Sequence, residues 1–256
     1  MRSLDRSHGR AMPIALMAAG MVPPFSTTPP PCPSPQPPPT DAAFPHAPGW
    51  ARAGIAALVA ADPRLAGIEP AAGPLAWRVR QPGFPGLLRA ICGQQISNQA
   101  ALAIWKRLAA LPGALEPAGL LALDDAVLCG VAGLSRPKAA HARSLATACL
   151  EGRLDLAGLA GMPDAAAIAH IAAIRGLGPW TAAIHLLFAE ARPDIFPSGD
   201  LALAASAAHL LGLPARPGPK ALAAIAEGWA PWRSLAARLL WHHWRFVTGR
   251  AVVEDG

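Results

Sequence analysis

The sequence predicts an all-α protein. Alanine and leucine dominate a chain that is 53% hydrophobic. Tyrosine is absent and β-branched runs are few, so residues that favour strands are scarce. Glycines and prolines fall at the ends and starts of apolar stretches, where helices stop and begin.

Taken in order, 84–94 reads as a helix that enters a Gly93-Gln94-Gln95 corner. Ser97 can cap the next helix, 98–110. A short helix follows at 124–129, then a long one to about Leu150 with Ser135 as its cap. Asp164, after Pro163, can cap a helix in which Ile168, Ile171 and Ile174 share a face. Gly176 ends that helix and Pro179 starts another, whose stripe of Ile184, Leu187 and Phe188 is stopped by Pro193. Asp200 opens 201–211, which Gly212 and Pro214 end; 220–229 and 233–246 complete a bundle. Between Trp50 and Gln81 there is room for one short strand at most, around Trp77 to Arg80.

A chain of 256 residues can bury roughly 70% of its unfolded surface and needs no disulfide or metal to fold. Net charge is +6, and the part after residue 49 holds 19 basic and 14 acidic residues. A mildly basic body suits a polyanion. Cys32, Cys92, Cys129 and Cys149 fit neither a zinc site nor a disulfide framework and read as reduced thiols. His242 and His243 lack further ligands at metal-binding spacing, so no metal site is expected there.

The turn Gly176-Leu177-Gly178 admits two readings. It is a helical hairpin that needs glycine, or a cradle whose backbone N–H groups and following helix N-terminus hold an anion. A dinucleotide-binding turn does not fit, because a helix rather than a strand precedes it and the third glycine is missing.

Ile174-Arg-Gly-Leu-Gly-Pro-Trp-Thr-Ala182 resembles the helix–hairpin–helix of the DNA glycosylase superfamily that carries a Gly/Pro-rich loop and an aspartate (HhH-GPD). Phe196-Pro-Ser-Gly-Asp200 resembles that loop, and the 20-residue interval from Trp180 to Asp200 matches without a gap. Ile91-Cys-Gly-Gln-Gln-Ile-Ser-Asn-Gln-Ala-Ala101 is similar to the block carrying the DNA wedge. Pro231-Trp-Arg-Ser-Leu-Ala-Ala-Arg-Leu-Leu-Trp241 is similar to the C-terminal block of 3-methyladenine-DNA glycosylase II. Four blocks in order are far more specific than one.

The resemblance implies a two-lobed helical fold with the active-site cleft between the lobes and the N-terminal β subdomain mostly absent. It implies Asp200 as the catalytic carboxylate, which doubles as a helix cap, and Trp180 and Trp241 as base-pocket aromatics. Gln95 falls at the wedge position, where the best-known bacterial enzyme has an apolar residue. Gly176, Gly178, Thr181, Arg136 and Lys138 would meet DNA phosphates. A solvated helix start is the plain alternative for Arg136 and Lys138, and Trp229 and Trp232 are expected in the core. Lysine at the Trp180 position would form a Schiff base; tryptophan cannot, so water is the expected nucleophile.

The implied activity is excision of alkylated purines such as 3-methyladenine and 7-methylguanine from double-stranded DNA, leaving an abasic site. The alternatives are an oxidised-base or mismatch glycosylase, or a non-catalytic helix–hairpin–helix DNA-binding protein. Trp180 and the missing cluster cysteines disfavour the first, and Asp200 with both tryptophans disfavours the second. No cofactor is required and no iron–sulfur cluster is expected, while a monovalent cation can sit at the hairpin. A monomer in the cytoplasm, associated with the nucleoid and not a membrane, is expected.

Residues 1–49 differ from the body at 50–256. Twelve of the 29 prolines lie between Pro23 and Pro48, a composition that stays extended or disordered. An apolar run behind Arg2, Arg6 and Arg10 imitates an export signal. The DNA-repair resemblance favours instead a disordered tail or a start assigned too far upstream.

Overall fold

The computed structural model describes residues 47–249. The expected tail therefore lies outside the described residues up to position 46. Ala47 is already buried, and the first helix opens at Gly49.

Eleven α-helices are present among the described residues, with no strand. They are α1 (Gly49–Ala61), α2 (Ile68–Ala72), α3 (Gly83–Cys92), α4 (Asn98–Ala109), α5 (Pro117–Ala122), α6 (Arg136–Leu150), α7 (Asp164–Ala172), α8 (Pro179–Phe188), α9 (Leu201–Leu211), α10 (Pro219–Ala226) and α11 (Arg233–Val247). The expected all-α class holds. The strand allowed at Trp77 to Arg80 is an extended link instead, tied to α8 by the Arg80 N–H donating to the Phe188 carbonyl at 3.0 Å. The short helix expected at 124–129 is a π-helical turn, Ala126–Val131, opened by the Asp124 carboxylate accepting from the Val127 N–H at 2.8 Å. The sequence reading placed no element at α1, α2 or α5.

Local chemistry sets most ends. Ser97 caps α4, its hydroxyl accepting from the Ala100 N–H at 3.3 Å. Gly212 closes α9 in the left-handed region at φ 62°, which an L side chain adopts only with strain. Two expected caps do not form. Ser135 stands at the N-cap of α6 but its side chain makes no capping bond. Asp164 is the first residue of α7, not its cap, because its carboxylate pairs with Arg192 at 2.7 Å. Arg192 also donates to the Met162 and Leu159 carbonyls, pinning the loop before α7 to the loop after α8.

The helices pack as two groups. α9 lies along α11, with α1 and α2 also on α11. α3 contacts α4, α6 and α8, while α5 packs on α6 and α7 on α8. Trp229 is in the core, as expected, and its indole N–H donates to Asp62 at 2.9 Å. Trp232 packs against the core edge. The Arg64 guanidinium beside Asp62 holds that carboxyl below the usual range, against the opposing effect of burial. The loop from Pro193 to Asp200 joins the two groups, with the Ile195 N–H donating to Ser234 Oγ at 2.9 Å.

Candidate active site

The site begins with a turn. In Phe196–Asp200 the Ser198 N–H donates to the Phe196 carbonyl at 3.0 Å, and the Asp200 N–H to the Pro197 carbonyl at 2.9 Å. Phe196 packs against Trp229, ring centroids 5.7 Å apart. The turn delivers Asp200 to the N-cap of α9. Its Oδ1 accepts from the Ala202 and Leu203 N–H groups at 2.8 and 2.9 Å.

The same carboxylate gathers both tryptophans. The Trp241 indole N–H donates to Oδ1 at 3.3 Å, and that of Trp180 to Oδ2 at 3.0 Å. Four N–H groups thus fix the carboxylate, and the carboxylate in turn fixes the orientation of both rings. Trp241 stacks on Phe188, centroids 5.6 Å apart and planes 27° apart. Trp180 remains 43% exposed. An exposed indole held by one hydrogen bond offers an open aromatic face.

These groups line a cavity of about 790 Å³ between α8, α9, α11 and the extended link before α3. A cavity of that size takes a nucleobase with its sugar. Arg238 is buried beside it, its guanidinium 4.1 Å from the Trp77 ring centroid and 4.4 Å from that of Phe188. It donates to the Arg78 carbonyl at 2.8 Å and to the Leu187 carbonyl at 3.2 Å. Burial pushes the guanidinium down to about 9, and the neighbouring Arg80 and Arg78 charges act in the same sense. It is still the cation at neutral pH. The sequence reading missed Arg238; the available signal was an arginine inside the apolar stripe of α11, between Leu235 and Leu239.

A second concavity, of about 600 Å³, holds Gln94, Gln95, the hairpin from Ala172 to Gly178, and Trp180. Gln95 is exposed, in the left-handed region at φ 57°. Gly176 has φ 92°, and a Cβ there would lie 2.2 Å from His141 Cγ. Gly178 has φ −80° and open space where a Cβ would go. Gly176 is therefore required by the fold, while Gly178 leaves room for something outside it.

Two expected phosphate contacts are corrected. Lys138 is only 8% exposed and its Nζ donates to the Cys92 carbonyl at 2.8 Å. The ammonium neutralises the C-terminus of α3, where a cation is favoured, rather than facing a phosphate. Burial pulls its pKa below the lysine norm. Thr181 is 4% exposed, so its hydroxyl does not face solvent, and it has only its first-turn backbone N–H to offer. Arg136 is exposed at the start of α6, as expected.

A family profile described as HhH-GPD superfamily base excision DNA repair protein matches residues 88–231. That span covers more than half of the chain and contains the hairpin, the wedge block and Asp200. The chain belongs to the HhH-GPD superfamily. Among similar solved HhH-GPD folds is a DNA-3-methyladenine glycosidase from Bacillus halodurans, at TM-score 0.67 and 31% identity over 77% of this chain and 91% of that one. A 3-methyladenine DNA glycosylase, Mag1, of Schizosaccharomyces pombe in complex with abasic DNA aligns at TM-score 0.67 and 24% identity, over 74% and 95% of the two chains. In sequence, 91 residues are 34% identical to Bacillus subtilis YfjP, spanning 36% of this chain and 32% of that protein. The chain thus matches about a third of YfjP's length.

The open space at Gly178 yields a prediction. Gly178→Ala leaves the unfolding temperature unchanged but weakens binding to damaged and undamaged duplex equally, because a phosphate contact carries no base information. Gel-shift titration of both duplexes checks it. Gly176→Ala, by contrast, loses roughly 2 kcal/mol or more of stability through left-handed strain and the collision with His141.

Proposed function

We propose that the chain is a monofunctional DNA-3-methyladenine glycosylase of the type II class, acting on double-stranded DNA that contains alkylated purines. The observation that carries this reading is the Asp200 carboxylate bonded to both indoles in one base-sized cavity. The relatives named for 3-methyladenine glycosylase support the substrate class.

The mechanism follows from the residues. The damaged nucleotide leaves the duplex and its base enters the cavity. Electron-poor or cationic purines stack favourably on the faces of Trp180 and Trp241. As the N-glycosidic bond stretches, the sugar gains oxocarbenium character. Asp200 stabilises that charge and orients the attacking water. Its geometry is preorganised, since the helix cap holds Oδ1 before substrate arrives. A cationic base leaves without a general acid. The product is a free base and an intact abasic site.

Backbone N–H groups at Gly178 and the first turn of α8, with Arg136, would take phosphates, and exposed Gln95 would fill the gap left by the extruded nucleotide. A monovalent cation at the hairpin would draw on its backbone carbonyls, of which those of Ile174 and Gly176 already accept from Leu177 N–H at 2.9 Å and Gln94 Nε2 at 2.8 Å. No step depends on that cation or on an iron–sulfur cluster. We propose a cytoplasmic, nucleoid-associated monomer. Separately, no described helix is long and apolar enough to cross a membrane.

Release of methylated bases from alkylated duplex DNA is the direct test. A second measurement fixes the subclass. The chain's lysines are Lys106, Lys138 and Lys220, and none lines the cavity. The abasic product should break only after alkali, and borohydride should trap no enzyme–DNA adduct. Strand scission without alkali together with a trapped adduct would remove the monofunctional assignment.

A further inference from the structure

The hairpin turn does not stand alone. The Gln94 side-chain amide donates to the Gly176 carbonyl at 2.8 Å, across 82 residues of sequence. On its other flank the turn is backed by the His141 ring, which occupies the space a Cβ at Gly176 would need. The His141 Nδ1 is buried without a hydrogen-bond partner, so this face of the ring acts by packing. One turn before His141 on α6, Lys138 Nζ holds the Cys92 carbonyl, the last residue of α3 before the Gly93–Gln94–Gln95 corner. The face of α6 bearing Lys138 and His141 thus supports both the corner and the hairpin, and Gln94 joins them directly.

From this geometry we infer that Gln94 and His141 are positioning residues that couple the phosphate-binding hairpin to the wedge at Gln95. The inference rests on reading the hairpin and Gln95 as DNA-contacting. Gln94 precedes Gln95 in the chain, and Gln95 occupies a left-handed backbone conformation that is costly for a side-chain-bearing residue. The amide bond to Gly176 and the lysine on Cys92 hold the chain on the N-terminal side of that conformation, and the Ser97 cap starts α4 two residues beyond it. A phosphate seated on the hairpin therefore fixes the height from which Gln95 enters the base stack. Loss of the link should weaken phosphate capture and extrusion together, whereas loss of the wedge side chain should affect mainly extrusion.

The test uses the full-length protein and two duplexes that contain no excisable base. One is undamaged. The other carries a tetrahydrofuran abasic analogue opposite 2-aminopurine, whose fluorescence reports unstacking. Gln94→Met keeps the length and removes the donor. It should lower affinity for the undamaged duplex about fivefold, the worth of one hydrogen bond, and reduce the 2-aminopurine signal at saturating protein. Gln94→Glu, which sets a carboxylate against the carbonyl, should be worse in both readouts. Gln95→Ala should lose the fluorescence signal with a smaller loss of affinity for the undamaged duplex than Gln94→Met shows. His141→Ala should behave as Gln94→Met does, and His141→Phe, which restores a packed ring, should return affinity to within about twofold of wild type. Wild-type behaviour of Gln94→Met in either readout would overturn the coupling. So would a His141→Phe variant as weak as His141→Ala; the His141 pair also decides the matter if the Gln94 variants fail to fold. Neither readout needs base excision, so the result stands apart from whether methylated bases are released.

Discussion

Asp200→Asn should abolish most base excision while leaving the protein folded and able to bind DNA. The cap survives, because asparagine keeps an acceptor for the Ala202 and Leu203 N–H groups now bonded to Oδ1 at 2.8 and 2.9 Å. The charge does not survive, and neither does the acceptor facing Trp180. With Oδ1 kept in the cap, the amide nitrogen replaces Oδ2 and points a donor at the Trp180 indole N–H, now 3.0 Å from that oxygen. The variant therefore loses both the counter-charge for the oxocarbenium-like sugar and the anchor of one pocket wall. Loss of one electrostatic group of this kind costs ~3–4 kcal/mol of barrier, or on the order of 10²–10³ in rate. Single-turnover release of 7-methylguanine from a defined duplex measures the loss, and thermal unfolding monitors the cap. Excision at near the wild-type rate would reduce Asp200 to a helix cap and sink the mechanism.

What was legible in the sequence was mostly what neighbouring residues decide. Asp200 and Gly212 bracket α9 as expected, because a capping carboxylate and a left-handed glycine act within one turn of where they stand. Pro179 likewise opens α8. The long interval that sets the candidate site was also readable: Trp180 and Asp200, 20 residues apart, meet at 3.0 Å. The errors came from side-chain direction. Lys138 looked like a surface cation near a helix start, yet it shares the buried face of α6 with Ala142 and Leu145. Its helical phase is that of the buried residues, and the position of α3 explains why the ammonium has a carbonyl waiting there. Asp164 failed as a cap for a similar reason, since Arg192 outbids the helix N–H groups for its carboxylate. Gln94 on Gly176 and His141 behind it were beyond reach, because nothing within a few residues of Gln94 points to a carbonyl 82 positions away.

Arg238→Ala should produce the largest loss of stability of any single substitution in the pocket wall. The guanidinium lies between the faces of Trp77 and Phe188, at 4.1 and 4.4 Å, and donates to two backbone carbonyls. A desolvated cation on an aromatic face contributes about 2 kcal/mol, and hydrogen bonds from a charged donor about 1.5–3 kcal/mol each. Against these stands the cost of burying a charge with Arg78 and Arg80 nearby, which the lowered pKa of the group reflects. The net loss on truncation should be roughly 3 kcal/mol, because alanine leaves a cavity and two carbonyls without this donor. For a body of this size that lowers the unfolding temperature by roughly 6–12 °C. Arg238→Met separates the contributions. Methionine refills the space between the rings and removes the buried charge, so it should recover part of the loss, and the remainder measures the two hydrogen bonds and the cation–ring contacts together, less the cost of burying the charge. Catalysis should follow the rings. Phe188 supports Trp241, and Trp241 donates to Asp200 at 3.3 Å, so loosening Phe188 disturbs the carboxylate without touching it. Excision at saturating protein should therefore fall in Arg238→Ala and largely return in Arg238→Met. If both variants unfold at the wild-type temperature, the arginine between the two rings holds nothing together, and the pocket wall owes its order to the surrounding helices alone.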